Sequence, residues 1–175
     1  MRALVIVGTA REGRQSIKVA EAVKKVLSKE GHSVDFYDLK NKDIPPLGNR
    51  SYKEDEEPVP EDITELKGYV DAADTVLIVA PEYNHGIPGF LKNALDYLYP
   101  EYGGKLFSYA TVSAGGFGGI RALDSLHSFT VAVDGDIGPS LNVSNVQQHF
   151  DDEGTVSSDL EQKIERFVGK IESDI

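Results

Sequence analysis

Apolar runs of strand length alternate along this chain with stretches whose apolar residues recur at helical spacing. The first run, Ala3 to Val7 (ALVIV), is unbroken and lacks alternation, the pattern of a central parallel strand covered on both faces. From about Ser16 the period changes. Val19, Val23, Val26 and Leu27 mark one helical face between lysines and glutamates, and Gly31 follows as a left-handed cap. Ser33 to Leu39 predicts a short second strand. Asp62 with Glu65 forms a capping box for a helix carrying Ile63, Leu66 and Val70 and ending near Ala73. Val76 to Ala80 is a further buried-strand run that stops at Pro81. After a polar loop, Ile87 opens an amphipathic helix with Phe90, Leu91, Ala94, Leu95 and Leu98 on one face, finishing before Pro100. Lys105 to Val112 predicts the fourth strand, followed by a helix bearing Ala122, Leu123, Leu126 and Phe129. Ser140 to Val146 predicts the fifth, and Ser158 with Glu161 caps a last helix with Leu160, Ile164, Phe167, Val168 and Ile171.

Five strands alternating with five helices predict an α/β fold: a doubly wound five-stranded parallel sheet, order 2-1-3-4-5, with right-handed crossovers and helices on both faces. At 175 residues, 40% of them hydrophobic, the chain fits a single domain spanning 1–175. Asn41 to Pro60, rich in proline and charge, reads as an ordered surface loop rather than a domain linker.

Composition narrows the chemistry. A net charge of -11 opposes adhesion to nucleic acid or to an anionic membrane. The absence of cysteine excludes disulfides, thiolate nucleophiles and Cys-ligated metal, so any redox chemistry needs a bound cofactor. The apolar run before Gly8 is too short for a signal peptide and no later run reaches transmembrane length, so a cytoplasmic chain is expected. His85, Asp96, His127 and His149 are too scattered for a metal cluster.

In a parallel sheet, loops at the carboxyl ends of strands line the ligand crevice, and three such loops stand out. Gly8 to Ser16 (GTAREGRQS) sets hydroxyls, glycines and two arginines at a helix start, which suits a phosphate; the alternative is a solvated turn with surface arginines. It matches neither G-x-G-x-x-G nor G-x-x-x-x-G-K-[ST]. Pro81 to Gly86 offers the flat face of Tyr83 and the amide of Asn84 to a planar heterocycle, although the same residues can simply start a helix. His85 has no partner acid or nucleophile at readable spacing, so a positional or ligand-edge role is favoured over general-base chemistry. Glu82 reads as a loop or oligomer contact rather than a catalytic acid. Ser113 to Gly119 contains four glycines, which permit close backbone approach to a ligand or merely flexible turning.

PEYNHGIPGFLKNALDYL, with GTAREGR after the first strand and SAGGFGGIRALDSL after the fourth, resembles the NADPH-dependent FMN reductases, a flavodoxin-like group of quinone, azo and chromate reductases. The resemblance spans nearly the whole chain. It implies that Thr9, Arg11, Arg14, Ser16 and Ile17 surround the phosphate of FMN. It further implies that Pro81, Glu82, Tyr83 and Asn84 run along the ribityl chain and isoalloxazine, with Ser113, Gly115 and Gly116 across from them. Many relatives carry serine at the position of Arg14 and asparagine at that of Ser16. The implied activity is ping-pong hydride transfer from NADPH or NADH through FMN to a small acceptor: a quinone, an azo compound, a metal oxyanion or free flavin. No catalytic side chain is needed, because the flavin carries the chemistry. A homodimer or homotetramer is also implied, to which Tyr97, Tyr99 and Tyr102 could contribute if they do not simply pack. Two other classes fit a flavin-binding chain: a flavodoxin-like electron carrier, whose T-x-T-G-N-T loop pattern is missing here, and a regulatory protein that keeps FMN for structure.

Overall fold

The computed structural model describes residues 1–48, 50 and 59–175. Its elements are β1 (Arg2–Val7), α1 (Ser16–Lys29), β2 (Ser33–Asp38), α2 (Glu61–Ala72), β3 (Thr75–Pro81), α3 (Gly89–Asp96), β4 (Leu106–Val112), α4 (Ile120–Ala132), β5 (Asp136–Val143) and α5 (Ser158–Asp174). All strand pairs are parallel and the order is β2-β1-β3-β4-β5, the expected flavodoxin-like topology.

The unbroken apolar runs are explained by burial on both faces. Ala3, Val5 and Val7 join Leu77 and Val79 under α1 and α5, while Leu4 and Ile6 join Val76, Ile78 and Ala80 under α2, α3 and α4. Alternate side chains of one strand thus feed two separate cores. Helix α1 stops as its sequence predicts. Gly31, at φ +84°, lets its own N–H reach the Ser28 carbonyl and the His32 N–H reach that of Leu27, which is the Schellman arrangement.

Three expectations need correction. The Asp62–Glu65 capping box does not form: α2 starts at Glu61, behind Pro60, and no side chain caps it. Asp62 instead accepts the Asp43 N–H at 2.8 Å and pairs with Lys42, which also holds Glu65. A nearby lysine outcompetes the helix's own amides for these carboxylates. At α5 the cap is Ser157, not Ser158, its hydroxyl accepting the Leu160 N–H. The fifth strand runs over Asp136–Val143 rather than from Ser140 to Val146. As an edge strand it is buried on fewer sides and tolerates Gly138 and Pro139, residues that weaken any central-strand reading. A Cβ at Gly138 would lie 2.9 Å from the Phe107 carbonyl oxygen of the neighbouring strand, so strand pairing itself favours that glycine. Of the aromatic run, whose role the sequence left open, Tyr97 and Tyr102 pack inside and Tyr99 is exposed.

Of the loop expected over 41–60, the first part packs on α3. The Leu47 N–H donates to Asn93 Oδ1 at 2.9 Å, Asn93 Nδ2 donates to the Pro45 carbonyl at 2.8 Å, and Ile44 is buried. Asn49 and residues 51–58 lie outside the described residues.

Two outcomes are expected for stability. Gly119 has φ +76°, and a Cβ there would meet Thr111 Cβ at 3.0 Å. Gly119→Ala should therefore cost at least about 1–2 kcal/mol, measured from the urea midpoint. Burial pushes the Tyr109 phenol up to about 12, while its hydroxyl shares a hydrogen bond with Thr130 Oγ1 at 2.8 Å. An unfolded phenol ionises near 10, so the unfolded chain loses this proton first and stability falls as pH rises from about 10 to 12. Tyr109→Phe should make that alkaline decline shallower in unfolding curves recorded across the window.

Candidate functional site

The register sets three loops along one edge of the sheet. Val7 lies beside Val79, Pro81 beside Val112, and Val112 beside Val143, so the chain leaves β1, β3 and β4 at nearly one level.

The first loop begins at Gly8, whose N–H donates to the Val79 carbonyl at 2.8 Å. A Cβ there would stand 2.7 Å from Leu91 Cδ2 and 3.3 Å from the Val79 carbonyl oxygen, so any added side chain would force the buried Leu91 to shift. Thr9 is buried, and its hydroxyl shares a hydrogen bond with the Tyr83 hydroxyl at 2.9 Å. That bond joins the first loop to the second. Helix α1 then starts at Ser16 with no side-chain cap and no acidic residue in its first turn. Ser16 is 2% exposed, yet its Oγ has no hydrogen-bond partner among the described residues. A buried hydroxyl left unpaired costs about 1–3 kcal/mol, and the first N–H groups of a helix also lack partners. A bound anion at this point supplies acceptors for both, with the helix dipole in its favour. Ile17 is half-buried against the α1–α5 core. Arg11 is exposed, its guanidinium 5.9 Å from the centre of the Tyr83 ring. Arg14 faces elsewhere: it forks onto the Asp38 carboxylate, with both contacts at 2.5 Å, and donates to the Thr9 carbonyl.

The second loop is a tight hairpin turn. Tyr83 and Gly86 exchange both backbone hydrogen bonds, at 2.9 and 3.0 Å, around Asn84 (φ 49°) and His85 (φ 67°). Two successive left-handed residues define a type I′ turn, a place where Asn is at home and His is strained. Asn84 and His85 are exposed, whereas Tyr83 is half-buried. Glu82 turns away from the turn: Oε2 accepts the Arg121 N–H at 3.3 Å and Oε1 lies 3.6 Å from its guanidinium. A carboxylate at the start of α4 also complements that helix dipole. Pro81, half-buried, ends β3 and aligns the loop.

The third loop is braced by Ser113. Its hydroxyl donates to the Gly115 carbonyl at 2.7 Å and accepts the Gly118 N–H at 3.0 Å. Gly118 and Gly119 are required by the fold, being left-handed and pressed against Asn142 and Thr111. Gly115 and Gly116 are not: both are exposed, outside the left-handed region, and a Cβ on either would meet nothing within 4 Å. Their missing side chains open space beside the loop that the fold itself does not need. Phe117 projects beyond them, 72% exposed, with the Arg121 guanidinium 5.4 Å from its ring centre.

The edge therefore brings the three candidate loops together, with several of their side chains engaged inside the protein: Thr9 with Tyr83, Arg14 with Asp38, Glu82 with Arg121, and Ser113 within its own loop. Two residues of the site were missed. Asp38 ends β2 on the same edge, 24 residues from Arg14, where no sequence spacing pairs them, and Arg121 sits within the SAGGFGGIRALDSL motif. These residues fit a flavin mononucleotide: the orphaned Ser16 hydroxyl at an uncapped helix start matches a phosphate, and the open strip at Gly115 and Gly116 matches a flat ring.

The chain is 35% identical over 134 residues to an NADPH azoreductase of Bacillus sp. (strain OY1-2), covering 76% of this chain and 70% of that protein. It is 30% identical over 178 residues to a quinone reductase of Pseudomonas putida, covering 97% and 91%. Among solved structures, FerB from Paracoccus denitrificans, a flavoenzyme NAD(P)H:(acceptor) oxidoreductase, superposes with a TM-score of 0.75 at 23% identity, covering 98% of this chain and 97% of FerB, a likeness of fold. The family model described as NADPH-dependent FMN reductase matches residues 1–148. With that match over most of its length, the chain belongs to the NADPH-dependent FMN reductase family.

Proposed function

We propose that residues 1–175 form one FMN-binding domain and that the protein is an FMN-dependent NAD(P)H oxidoreductase acting on small acceptors: quinones, azo compounds, metal oxyanions or free flavin. The observation that carries this reading is the buried, unpartnered Ser16 hydroxyl at the uncapped start of α1. When bound, FMN supplies a ring that takes a hydride from NADPH or NADH and, after the nicotinamide leaves, passes it to the acceptor. The side chains bind and orient. Ser16, Ile17, Thr9 and Arg11 surround the phosphate, Arg11 with an exposed charge and the helix start with its N–H groups. Pro81 to Asn84 run along the ribityl chain and ring, with the Thr9–Tyr83 hydrogen bond fixing the phosphate loop to the ring loop. Ser113, Gly115 and Gly116 stand opposite, with no side chain at the last two to cover the ring face that donor and acceptor use in turn.

Self-association belongs to the same proposal. A groove of about 340 Å³ between α3 and α4 is lined in part by Leu98, Tyr99, Phe129 and Val133, and a homodimer or homotetramer would cover it. Among the described residues no helix is long and apolar enough to cross a membrane. A cysteine-free chain suits a reducing compartment, and we assign the protein to the cytoplasm on that ground.

Fluorescence titration with FMN tests the site. Arg11→Ala should weaken FMN binding by roughly 10- to 100-fold, about 1.5–3 kcal/mol for a charged hydrogen bond. Ser16→Ala, which removes a neutral partner, should cost about 2- to 10-fold. Unchanged affinity in both variants would remove the first loop from the phosphate site. Gly115→Ala should leave the unfolding midpoint unaltered while weakening flavin binding; an unchanged FMN affinity would show that the open strip is not part of the ring site.

A further inference from the structure

Arg14 is the loop residue whose surroundings depart most from what a phosphate ligand requires. Its side chain is 10% exposed and that of Asp38 13%, so the pair is held largely out of water. One terminal nitrogen donates to Asp38 Oδ1 and to the Thr9 carbonyl, and the other donates to Asp38 Oδ2, each at 2.5 Å. Both hydrogens of the first nitrogen are thereby used, and the positive charge is already neutralised by a two-point contact. A phosphate brought to this guanidinium would also approach the Asp38 carboxylate. Repulsion between the two anions opposes that geometry.

We propose, on the reading that the 8–16 loop binds the FMN phosphate, that Arg14 and Asp38 are positioning residues that hold this loop in its anion-binding shape, and that Arg14 is not itself a phosphate ligand. Three features of the structure carry this. The fork ties the loop to the end of β2, 24 residues away, while the same guanidinium holds the Thr9 carbonyl. A carbonyl oxygen facing a phosphate would repel it; bonded to Arg14, that oxygen is withdrawn from competition and the loop's N–H donors remain. Asp38 is in turn fixed, because its Oδ1 also accepts the Lys40 N–H at 3.1 Å and caps the short 3-10 turn at Leu39–Asn41. A second tether, Lys40 to Glu12 at 2.9 Å, joins the same two segments, but Glu12 is 88% exposed and the contact is correspondingly weak. The buried fork is therefore what keeps the loop ordered before the ligand arrives, sparing the cost of ordering it on binding.

The test compares FMN with riboflavin, which lacks the phosphate, by fluorescence titration of the wild-type protein, Asp38→Asn, Arg14→Gln and the double variant. The expected result is a loss of FMN affinity of about tenfold in Asp38→Asn, a similar loss in Arg14→Gln, no further loss in the double variant, and riboflavin affinity unchanged throughout. Were Arg14 a direct ligand, Asp38→Asn would free its guanidinium and leave FMN affinity unchanged or raised; that result overturns the clamp. A purely structural role would lower FMN and riboflavin affinity together, which also overturns it. Should Arg14→Gln fail to fold, Arg14→Lys, which keeps the charge but cannot fork onto both carboxylate oxygens and reach the Thr9 carbonyl, carries the same comparison. A wild-type protein that binds riboflavin as tightly as FMN would overturn the phosphate reading itself, and the clamp with it; a preference for FMN over riboflavin undiminished in Asp38→Asn overturns the clamp alone.

Discussion

A strand buried on both faces has no room for chemistry along its length. Residues Ala3 to Val7 and Thr75 to Ala80 are buried throughout, under helices on either side of the sheet. All polar and ligand-facing groups are therefore forced to the strand ends, and because every strand pair is parallel, the carboxyl ends share one edge. The site is a consequence of that constraint. Its three loops start within a residue or two of one another in register, so residues far apart in sequence, such as Thr9 and Tyr83, meet without any long excursion of the chain.

Each loop is then held by a different device suited to what it presents. The first presents the buried Ser16 hydroxyl without a partner among the described residues, and it is braced by the Arg14–Asp38 fork, whose guanidinium also holds the Thr9 carbonyl. The second must project a ring and an amide, and a type I′ turn does so with only two residues, at the cost of a left-handed His85. Its base is tied to α4 through Glu82 and Arg121. The third must remain thin, and Ser113 bridges its two ends with one hydroxyl so that Gly115 and Gly116 need no side chain. Binding surfaces made of loops are in this way given a rigidity that loops alone lack.

Much of this was legible in the sequence, for physical reasons. ALVIV could only be a doubly covered strand, and the Gly31 cap and the PEYNHGIPG stretch carry local signals that tertiary contacts do not override. Where the reading failed, a distant partner or an exposed edge decided the outcome. Lys42 draws Asp62 and Glu65 away from capping α2, and β5 includes Gly138 and Pro139 because an edge strand does not need the composition of a central one. The three loops singled out do leave the same edge of the sheet, but the orientation of Arg14, Glu82 and Ser113 depends on Asp38, Arg121 and Gly118. Neither Asp38 nor Arg121 announces its role by spacing. The Arg14 fork in particular joins two strand ends that only the fold brings together.

The central claim, a flavin site that passes hydride from a nicotinamide donor to a small acceptor, is tested most directly by the absorbance of the FMN-loaded protein under anaerobic conditions. Adding NADPH, and separately NADH, should bleach the flavin bands rapidly, and a quinone added afterwards should restore them. Bound FMN that neither donor bleaches would contradict the claim and favour an electron carrier or a regulatory flavin protein, and a protein that takes up no FMN would remove the site itself.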